Sequence, residues 1–225
     1  MIVVAPVSSP LAALVRREVM LGRSARGRPI VAWEVGDPSS PRKALVVGCI
    51  HGNEPAGIAI ADALARVPAR RQTDVWIVPD LNPDGVAAGT RQNADGIDLN
   101  RNFPWRWRLI GQPGTPSYAG TGALSARESR IAYRLIRRLH PVVSIWFHQH
   151  LGLVDESGGS IGVERRFAHV AGLPARHLQR FNGSVTTWQD HTFPGTTAFV
   201  VELPPGAVPT ARVARYVRAI DAVLR

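Results

Sequence analysis

The sequence is poor in cysteine and lysine, and both shortages exclude classes of protein. Cys49 is the only cysteine among 225 residues, so the chain cannot be a disulfide-stapled scaffold. It lies in an apolar stretch and is predicted to be a small core residue. Lys43 is the only lysine, so 26 of the 27 basic residues are arginine and the net charge is +10. The arginines form no dense tract, which predicts solvated surfaces rather than specific nucleic-acid binding.

Long hydrophobic runs are also missing. No apolar stretch approaches the length of a membrane-spanning helix, so no membrane span is predicted. Residues 1–20 contain no basic region followed by a continuous apolar segment, which predicts a cytoplasmic location, with export left open. We expect a short arm or helix over residues 1–20 and a single catalytic domain over residues 21–225. The oligomeric state stays open.

Strand and helix patterns alternate along the chain. Apolar, β-branched runs predict strands over residues 30–35, 44–50, 75–78, 142–147 and 197–203, and helical spacing predicts helices over residues 55–66 and 125–139. Ser125 and Glu128 have the spacing of a capping box at the start of the second helix. The segment 79–121 is rich in Gly, Pro, Asn and Asp, and a loop of this length is typically functional. The alternation predicts an α/β fold with a largely parallel sheet.

Two of the predicted strands end in candidate metal ligands. His51 and Glu54 follow the strand at 44–50, and the strand at 142–147 ends in His148-Gln149-His150. If both strands are parallel in one sheet, these side chains meet at its carboxyl edge. Two histidines and one glutamate form a zinc site with an open fourth position. The structural alternative for the first pair is a polar His51 with Glu54 interacting with a helix dipole.

The third candidate ligand is His148 or His150, and Glu202 is a candidate carboxylate near it. His148 is closest to the firm end of its strand and is preferred as ligand, although His150 faces the same side. Glu202 lies at the end of the strand 197–203, where a buried carboxylate is costly unless it is paired or near a metal. Its functional interpretation is a general base acting on water, and its structural alternative is a side chain that points into solvent.

Five motifs in chain order resemble the zinc metallocarboxypeptidase family. They are His51-Gly52-Asn53-Glu54, Asn82-Pro83-Asp84-Gly85, Asp98-Leu99-Asn100-Arg101-Asn102-Phe103, Phe147-His148 and Val201-Glu202-Leu203. The short chain, Phe193-Pro194-Gly195 and Glu202-Leu203-Pro204-Pro205 are most similar to bacterial murein tripeptide amidases. The likeness extends from about Leu21 to the C-terminus. It implies a three-layer α/β/α sandwich around a mixed, mostly parallel sheet.

The resemblance also implies roles for single residues. His51, Glu54 and His148 match the ligands of one Zn²⁺ per chain, and Glu202 matches the catalytic glutamate. Arg91 matches the arginine that polarises the scissile carbonyl. Asn100 and Arg101 match the pair that binds the substrate's terminal carboxylate, a role that suits a planar guanidinium beside an amide.

The implied function is zinc-dependent hydrolysis of an amide next to a terminal carboxylate, with a peptide or murein peptide as substrate. In murein tripeptide amidases the bond cut joins γ-D-glutamate to diaminopimelate. Two alternatives remain open: an N-acyl amino acid deacylase of the aspartoacylase or succinylglutamate desuccinylase type, and a non-catalytic basic binding module. The sequence departs from many family members because no tyrosine lies between His148 and Glu202. Trp188 or His191 is a candidate for that space, and Asp190 is a candidate partner for a distal amine.

Overall fold

The computed structural model describes residues 13–156 and 158–225, and a mixed sheet of eight strands lies at its centre. The strands are β1 (Val15–Arg23), β2 (Pro29–Gly36), β3 (Lys43–Val47), β4 (Asp74–Val78), β5 (Val143–Gln149), β6 (Leu153–Asp155), β7 (Ala175–Arg176) and β8 (Thr197–Leu203). Their order is β1-β2-β4-β3-β5-β8-β6-β7. The central strands β4, β3, β5 and β8 are parallel, so their carboxyl ends lie on one edge of the sheet.

Helices cover both faces of this sheet. They are α1 (Gly57–Leu64), α2 (Pro83–Ala88), α3 (Arg127–Leu139), α4 (Ile161–Ala171), α5 (Val185–Thr192) and α6 (Thr210–Leu224), with a 3-10 turn at Leu99–Arg101. Core residues of α1, α4 and α6 pack on one face, and those of α3 and α5 pack on the other. The fold is therefore the predicted three-layer α/β/α sandwich. Within the described ranges, no helix combines the length and apolarity that crossing a bilayer requires.

The apolar run in β3 explains why this strand is central. Ala44 and Val46 enter the core beneath α1 and α6, whereas Leu45 and Val47 enter the core beneath α3. A strand with a packed helix layer on each side must be apolar on both faces, because neither face meets water. Cys49, just beyond β3, is fully buried, as predicted.

Two local predictions were wrong. An arm or helix was expected over residues 1–20, but residues 15–20 belong to β1, which pairs antiparallel with β2; residues 1–12 lie outside the described residues. The capping box was also wrong, because α3 begins at Arg127, two residues later than predicted, with Ala126 at its N-cap and without a side-chain cap. Glu128 is buried instead and accepts hydrogen bonds from the Ala25 backbone and the Asn93 amide. Tertiary hydrogen bonds thus replaced a local one.

Candidate active site

Three predicted ligands converge at the carboxyl edge of the sheet. His51 follows β3, His148 lies in β5, and Glu54 lies just before α1. Nδ1 of His51 and Nδ1 of His148 each lie 3.1 Å from Oε2 of Glu54. All three side chains are buried, and their ligand atoms lie within 4.8 Å of one another. Two imidazole nitrogens facing one carboxylate oxygen fit the donor set that zinc prefers, so these residues could hold a metal ion.

The turn that carries His51 is held by a second motif. The side-chain amide of Asn82 donates to the carbonyl of Ile50, and its oxygen caps α2 by accepting from the Gly85 backbone. Gly52 packs directly against this helix, since a Cβ at Gly52 would lie 1.9 Å from the carbonyl carbon of Gly85. The close approach requires glycine at position 52. The Asn82-Pro83-Asp84-Gly85 motif therefore fixes the position of the first ligand without contacting the site.

Asp98 lies behind His51 and orients its ring. Oδ1 of Asp98 is 3.0 Å from Nε2 of His51, so Nδ1 is directed toward Glu54. A carboxylate on the far nitrogen of a ligating histidine fixes its tautomer and orientation. Burial lowers the pKa of His51, but the charge of Asp98 and its hydrogen bond outweigh burial, and the net pKa is raised. By contrast, Nε2 of His148 is buried and has no hydrogen-bond partner among the described residues.

The two buried carboxylates of the site stay ionised because cations surround them. Burial raises the pKa of Glu54, yet hydrogen bonds from His148 and His51 reverse the effect, and its net pKa is lowered. Burial also raises the pKa of Asp98, but the charge and hydrogen bond of His51, followed by the charge of Arg91, lower it further. Both groups are thus ready to act as anions at neutral pH.

Arg91 spans the two acids from the side of the cavity. Its Nη1 donates to Glu54 Oε1 at 2.8 Å, and its Nε donates to Asp98 Oδ2 at 3.1 Å. The guanidinium is about one quarter exposed, so it is accessible from the cavity while its position is fixed from behind. A planar cation held in this way can donate to an oxygen placed next to the three ligands.

Asn100 and Arg101 lie on the 3-10 turn that follows Asp98. The side-chain oxygen of Asn100 accepts from the Val185 backbone, so its amide group is the half that remains available to a ligand. The guanidinium of Arg101 lies 4.2 Å from the centroid of the Phe181 ring and donates to the Asn100 carbonyl. Both residues line the same cavity as the three ligands, together with Arg91.

Glu202 is brought next to the ligands by strand register. In the parallel pair of β5 and β8, His148 lies opposite Glu202. The Glu202 side chain is half-buried and lines the cavity, whose volume is about 360 Å³. Its Oε2 accepts a long hydrogen bond of 3.4 Å from the Leu151 backbone. A carboxylate facing a cavity beside potential metal ligands is placed to exchange protons with a bound water.

Several alternative residues are placed elsewhere. His150 is exposed and does not belong to the group of potential metal ligands. Trp188 is buried in the core beside Tyr133, and His191 stacks on Trp105 at a centroid distance of 3.8 Å. Asp190 accepts from the Ala198 backbone. None of these four residues lines the cavity of about 360 Å³, so neither Trp188 nor His191 fills the place of a family tyrosine there.

The cavity also contains residues that sequence reasoning missed. Asp155, on β6, continues the antiparallel register that pairs Leu153 with Glu202, and it therefore lies two residues, about 7 Å, from the level of Glu202. Arg180 lines the cavity from the segment before α5. Neither residue belongs to a recognised motif. Ser184, Thr186, Thr187 and Val200 also line the cavity.

The sheet, the converging His-Glu-His group and the cavity define a class of protein. Residues 13–154 match the family model described as zinc carboxypeptidase, and the chain belongs to that family. Carboxypeptidases are hydrolases, so membership favours an enzyme over a non-catalytic module. The matched range includes all three candidate ligands but ends before Glu202.

Two bacterial murein peptide amidases are among the proteins to which the chain is similar. Murein peptide amidase A of Vibrio campbellii is 30% identical over 201 residues, covering 82% of this chain and 78% of the relative. Murein peptide amidase A of Escherichia coli K12 is 29% identical over 148 residues, and the aligned part covers 60% of each protein. The alignment with the E. coli protein thus spans less than two thirds of its length.

Solved structures agree with the fold. The murein-tripeptide amidase MpaA from Escherichia coli O157 superposes with a TM-score of 0.73 at 25% identity, over 95% of this chain and 93% of that one. Carboxypeptidase A from Helicoverpa armigera superposes with a TM-score of 0.77 at 16% identity, over 93% of this chain and 68% of that one. The second likeness shows the fold alone.

Proposed function

We propose that this hydrolase cuts the amide between γ-D-glutamate and diaminopimelate in murein peptides, with one Zn²⁺ per chain. The observation that carries the proposal is a single cavity lined by a potential metal site, a strand-end carboxylate and three arginines. The names of the relatives support the same substrate. The peptidase chemistry follows from the family, whereas the murein substrate is our inference.

His51, Glu54 and His148 would hold the metal. The donor atoms are buried and close together, and Asp98 already orients one ring, so little rearrangement is needed to bind an ion. When bound, zinc supplies Lewis-acid activation of water and of the scissile carbonyl. Everything else in the reaction falls to side chains of this chain.

We assign proton transfer to Glu202 and stabilisation of the oxyanion to Arg91. Glu202 takes a proton from the attacking water and then delivers it to the nitrogen of the leaving amine, whose bond to the carbonyl carbon breaks. Arg91 donates to the carbonyl oxygen as negative charge develops there. Its ion pairs with Glu54 and Asp98 hold it in place before the substrate arrives.

Asn100 and Arg101 are assigned to the terminal carboxylate of the substrate. The free amide of Asn100 and the guanidinium of Arg101 face the cavity from one short turn, so both can donate to the same anion. Burial lowers the pKa of Arg101, but a guanidinium stays charged in proteins. Fixing this end of the substrate restricts cleavage to the last bond.

Asp155 and Arg180 favour a side chain that ends in both an amine and a carboxylate. They add one acid and one base to the lining of the cavity that Asn100 and Arg101 also line. Diaminopimelate has an ammonium and a carboxylate at the far end of its side chain, which matches this pair in sign. The part assigned in the sequence to Asp190 therefore passes to Asp155.

The test is to measure zinc content and to digest L-Ala-γ-D-Glu-diaminopimelate with the purified protein, following products by mass spectrometry. We expect one zinc per chain and release of diaminopimelate that a chelator abolishes. A matched substrate ending in lysine, which lacks the distal carboxylate, should be cut more slowly.

Other outcomes would change the proposal in defined ways. Zinc without cleavage of the murein peptide, but with cleavage of ordinary peptides, would keep the metal site and overturn the substrate. Preferential cleavage of acylated amino acids would favour the deacylase alternative. A protein that takes up no zinc after loading would overturn the assignment of the three ligands.

A further inference from the structure

The outer face of α3 is a stripe of arginines outside the catalytic cavity. Four positions on this helix, spaced by three or four residues, carry guanidinium groups on one side, and a fifth lies next to the last of them. The side chains are Arg127, Arg130, Arg134, Arg137 and Arg138, joined by Arg23 from the end of β1. We call these six residues the arginine face. Arg23, Arg127, Arg130 and Arg134 line one open cleft of about 280 Å³.

No acid in the described part of the chain neutralises the arginine face. None of its six arginines takes part in an ion pair there, and no carboxylate lines the cleft. Glu128, the acid in the same helix, is buried and already accepts two hydrogen bonds. Glu18 on β1 lies opposite Trp33 in the register and so belongs to the other face of the sheet. The positive charge is therefore uncompensated.

Two of the arginines are held in place by one nitrogen each. Nη1 of Arg130 donates to the carbonyls of Leu124 and Ser125 at 2.7 Å, and Nη1 of Arg23 donates to the carbonyl of Gly27 at 2.8 Å. The remaining N–H groups of each guanidinium stay available. A guanidinium that is already held in place loses less conformational entropy when a ligand binds.

Arg127 adds an electrostatic reason for an anionic ligand. It lies in the first turn of α3, where the helix dipole disfavours a cation. The helix start and the guanidinium both carry positive charge, and each therefore favours an anion. An anion bound here would relieve the repulsion between them.

The form of the arginine face selects among anionic partners. From Arg127 to Arg138 it extends about 16 Å along the helix axis, which suits a chain of charges more than a single ion. None of the exposed large apolar side chains lies on α3, which disfavours insertion into a membrane. The rings of Tyr133 and Trp76 are already covered by Arg137 and Arg138, which disfavours stacking with nucleic-acid bases.

We propose that the arginine face binds a linear phosphate polyanion, recognised through its phosphate groups alone. Guanidinium pairs bidentately with phosphate, and the spacing of three to four residues presents successive groups along one line. The site is independent of the hydrolysis proposed above, since none of its residues lines the catalytic cavity.

The test uses labelled inorganic polyphosphate and the full chain, with binding followed by fluorescence anisotropy across a salt series. The variant is Arg127→Glu with Arg134→Glu, because both side chains are exposed and make no hydrogen bond or ion pair with a described residue. The control is Arg166→Glu with Arg218→Glu, which changes the net charge equally on α4 and α6, behind the opposite face of the sheet. Circular dichroism checks that both variants are folded.

We expect the Arg127/Arg134 variant to bind at least about tenfold more weakly at ~0.1 M salt, with a shallower salt dependence, and the control to change at most about twofold. Equal losses in both variants would overturn the site, because net charge alone would then explain binding. Absence of binding by the unmodified chain would also overturn it.

Two further probes decide the chemical source of the phosphate. A single-stranded oligonucleotide of matched phosphate number should bind no more tightly than polyphosphate. Tighter binding of the oligonucleotide, or binding to anionic phospholipid vesicles that the Arg127/Arg134 variant loses while polyphosphate binding is weak, would overturn the choice of a phosphate chain in favour of that partner.

Discussion

Two of the places where the molecule buries carboxylates have opposite surroundings. The first place is the carboxyl edge of the sheet where hydrolysis is proposed, which we call the catalytic edge. Glu54 and Asp98 are surrounded there by His51, His148 and Arg91, and the pKa of each acid is lowered. The second place lies beside Gly158, where Glu164 of α4 and Asp190 of α5 approach each other. There burial, reinforced for Glu164 by the charge of Asp190, raises the pKa of each acid to about 7.

The second pair is built without a cation at its centre. A Cβ at Gly158 would lie 2.8 Å from Glu164 Oε1 and 2.8 Å from Asp190 Oδ2, so the glycine leaves room for both acids. Glu164 is fully buried and its carboxylate oxygens have no hydrogen-bond partner among the described residues. Burial is thus common to both regions, and only the partners decide whether an acid is ionised. The catalytic edge is distinguished by acids that stay charged although they are buried.

Removing His148 is expected to have the largest effect, because it removes a candidate ligand and a hydrogen-bond partner of Glu54 together. His148→Ala should abolish stoichiometric zinc binding and, with it, hydrolysis. His150→Ala is the matched control, since this neighbour is exposed and lies outside the ligand group. Zinc content by atomic absorption checks both. Retention of zinc by His148→Ala with loss in His150→Ala would exchange their roles.

Glu202→Gln should separate proton transfer from metal binding. The amide keeps the size of the side chain but cannot accept a proton, so we expect kcat to fall by about 10²–10⁴-fold with zinc content unchanged. The measurement is steady-state kinetics on metal-quantified protein. Residual activity near that of the unmodified chain would remove Glu202 as the base.

Asp98→Asn should lower metal affinity without abolishing metal binding, so its effect is smaller than those of the two variants above. The amide leaves Nε2 of His51 without an anionic partner, and loss of such a partner lowers metal affinity by about 10–100-fold. Competition with a chelator measures the change in Kd. Asp95→Asn, in the same loop but outside the cavity, is the control. An unchanged Kd in Asp98→Asn would show that Asp98 does not support the ligand.

Glu164→Gln should show the smallest effect, and its sign is opposite to that of the other variants. A raised folded-state pKa means that the stability contributed by protonated Glu164 is complete below about pH 4.5 and is lost as pH rises through about 7. The variant cannot ionise, so we expect it to be more stable than the unmodified chain at pH 8 by roughly 1–3 kcal/mol. Urea unfolding at pH 5 and pH 8 measures this difference.

The control for that comparison is Glu18→Gln, which removes an exposed carboxylate of β1. It should leave the pH dependence unchanged. If Glu164→Gln lowered stability at pH 8 as much as at pH 5, the acid would have to be ionised and paired in the fold, and the contrast between the two regions would fail.

The catalytic edge was largely predictable because its residues are tied to strand ends. His51, His148 and Glu202 each follow or end an apolar run, and parallel strands bring such ends together. The family motifs then supplied Arg91, Asn100 and Arg101, which line the same cavity as the candidate ligands. The fold class followed from the same alternation of strands and helices.

The remainder depended on contacts that local patterns do not encode. Asp98 was part of a recognised motif, but its contact with His51 joins residues 47 positions apart, so no local spacing indicated it. Asp155 reaches the cavity only because β6 pairs with β8 across nearly fifty residues. Ser125 and Glu128 had the spacing of a capping box, yet the long-range hydrogen bonds of Glu128 to Ala25 and Asn93 prevailed.

The position of β8 in the sheet determines when the enzyme becomes complete. This strand is formed by residues 197–203, yet it lies between β5 and β6, which precede it by at least forty residues. A growing chain can therefore bring its three candidate ligands together before β8, which carries Glu202, has joined the sheet. A nascent chain would thus be able to capture its metal before it can cut any peptide, and hydrolytic competence would arrive with the insertion of one strand.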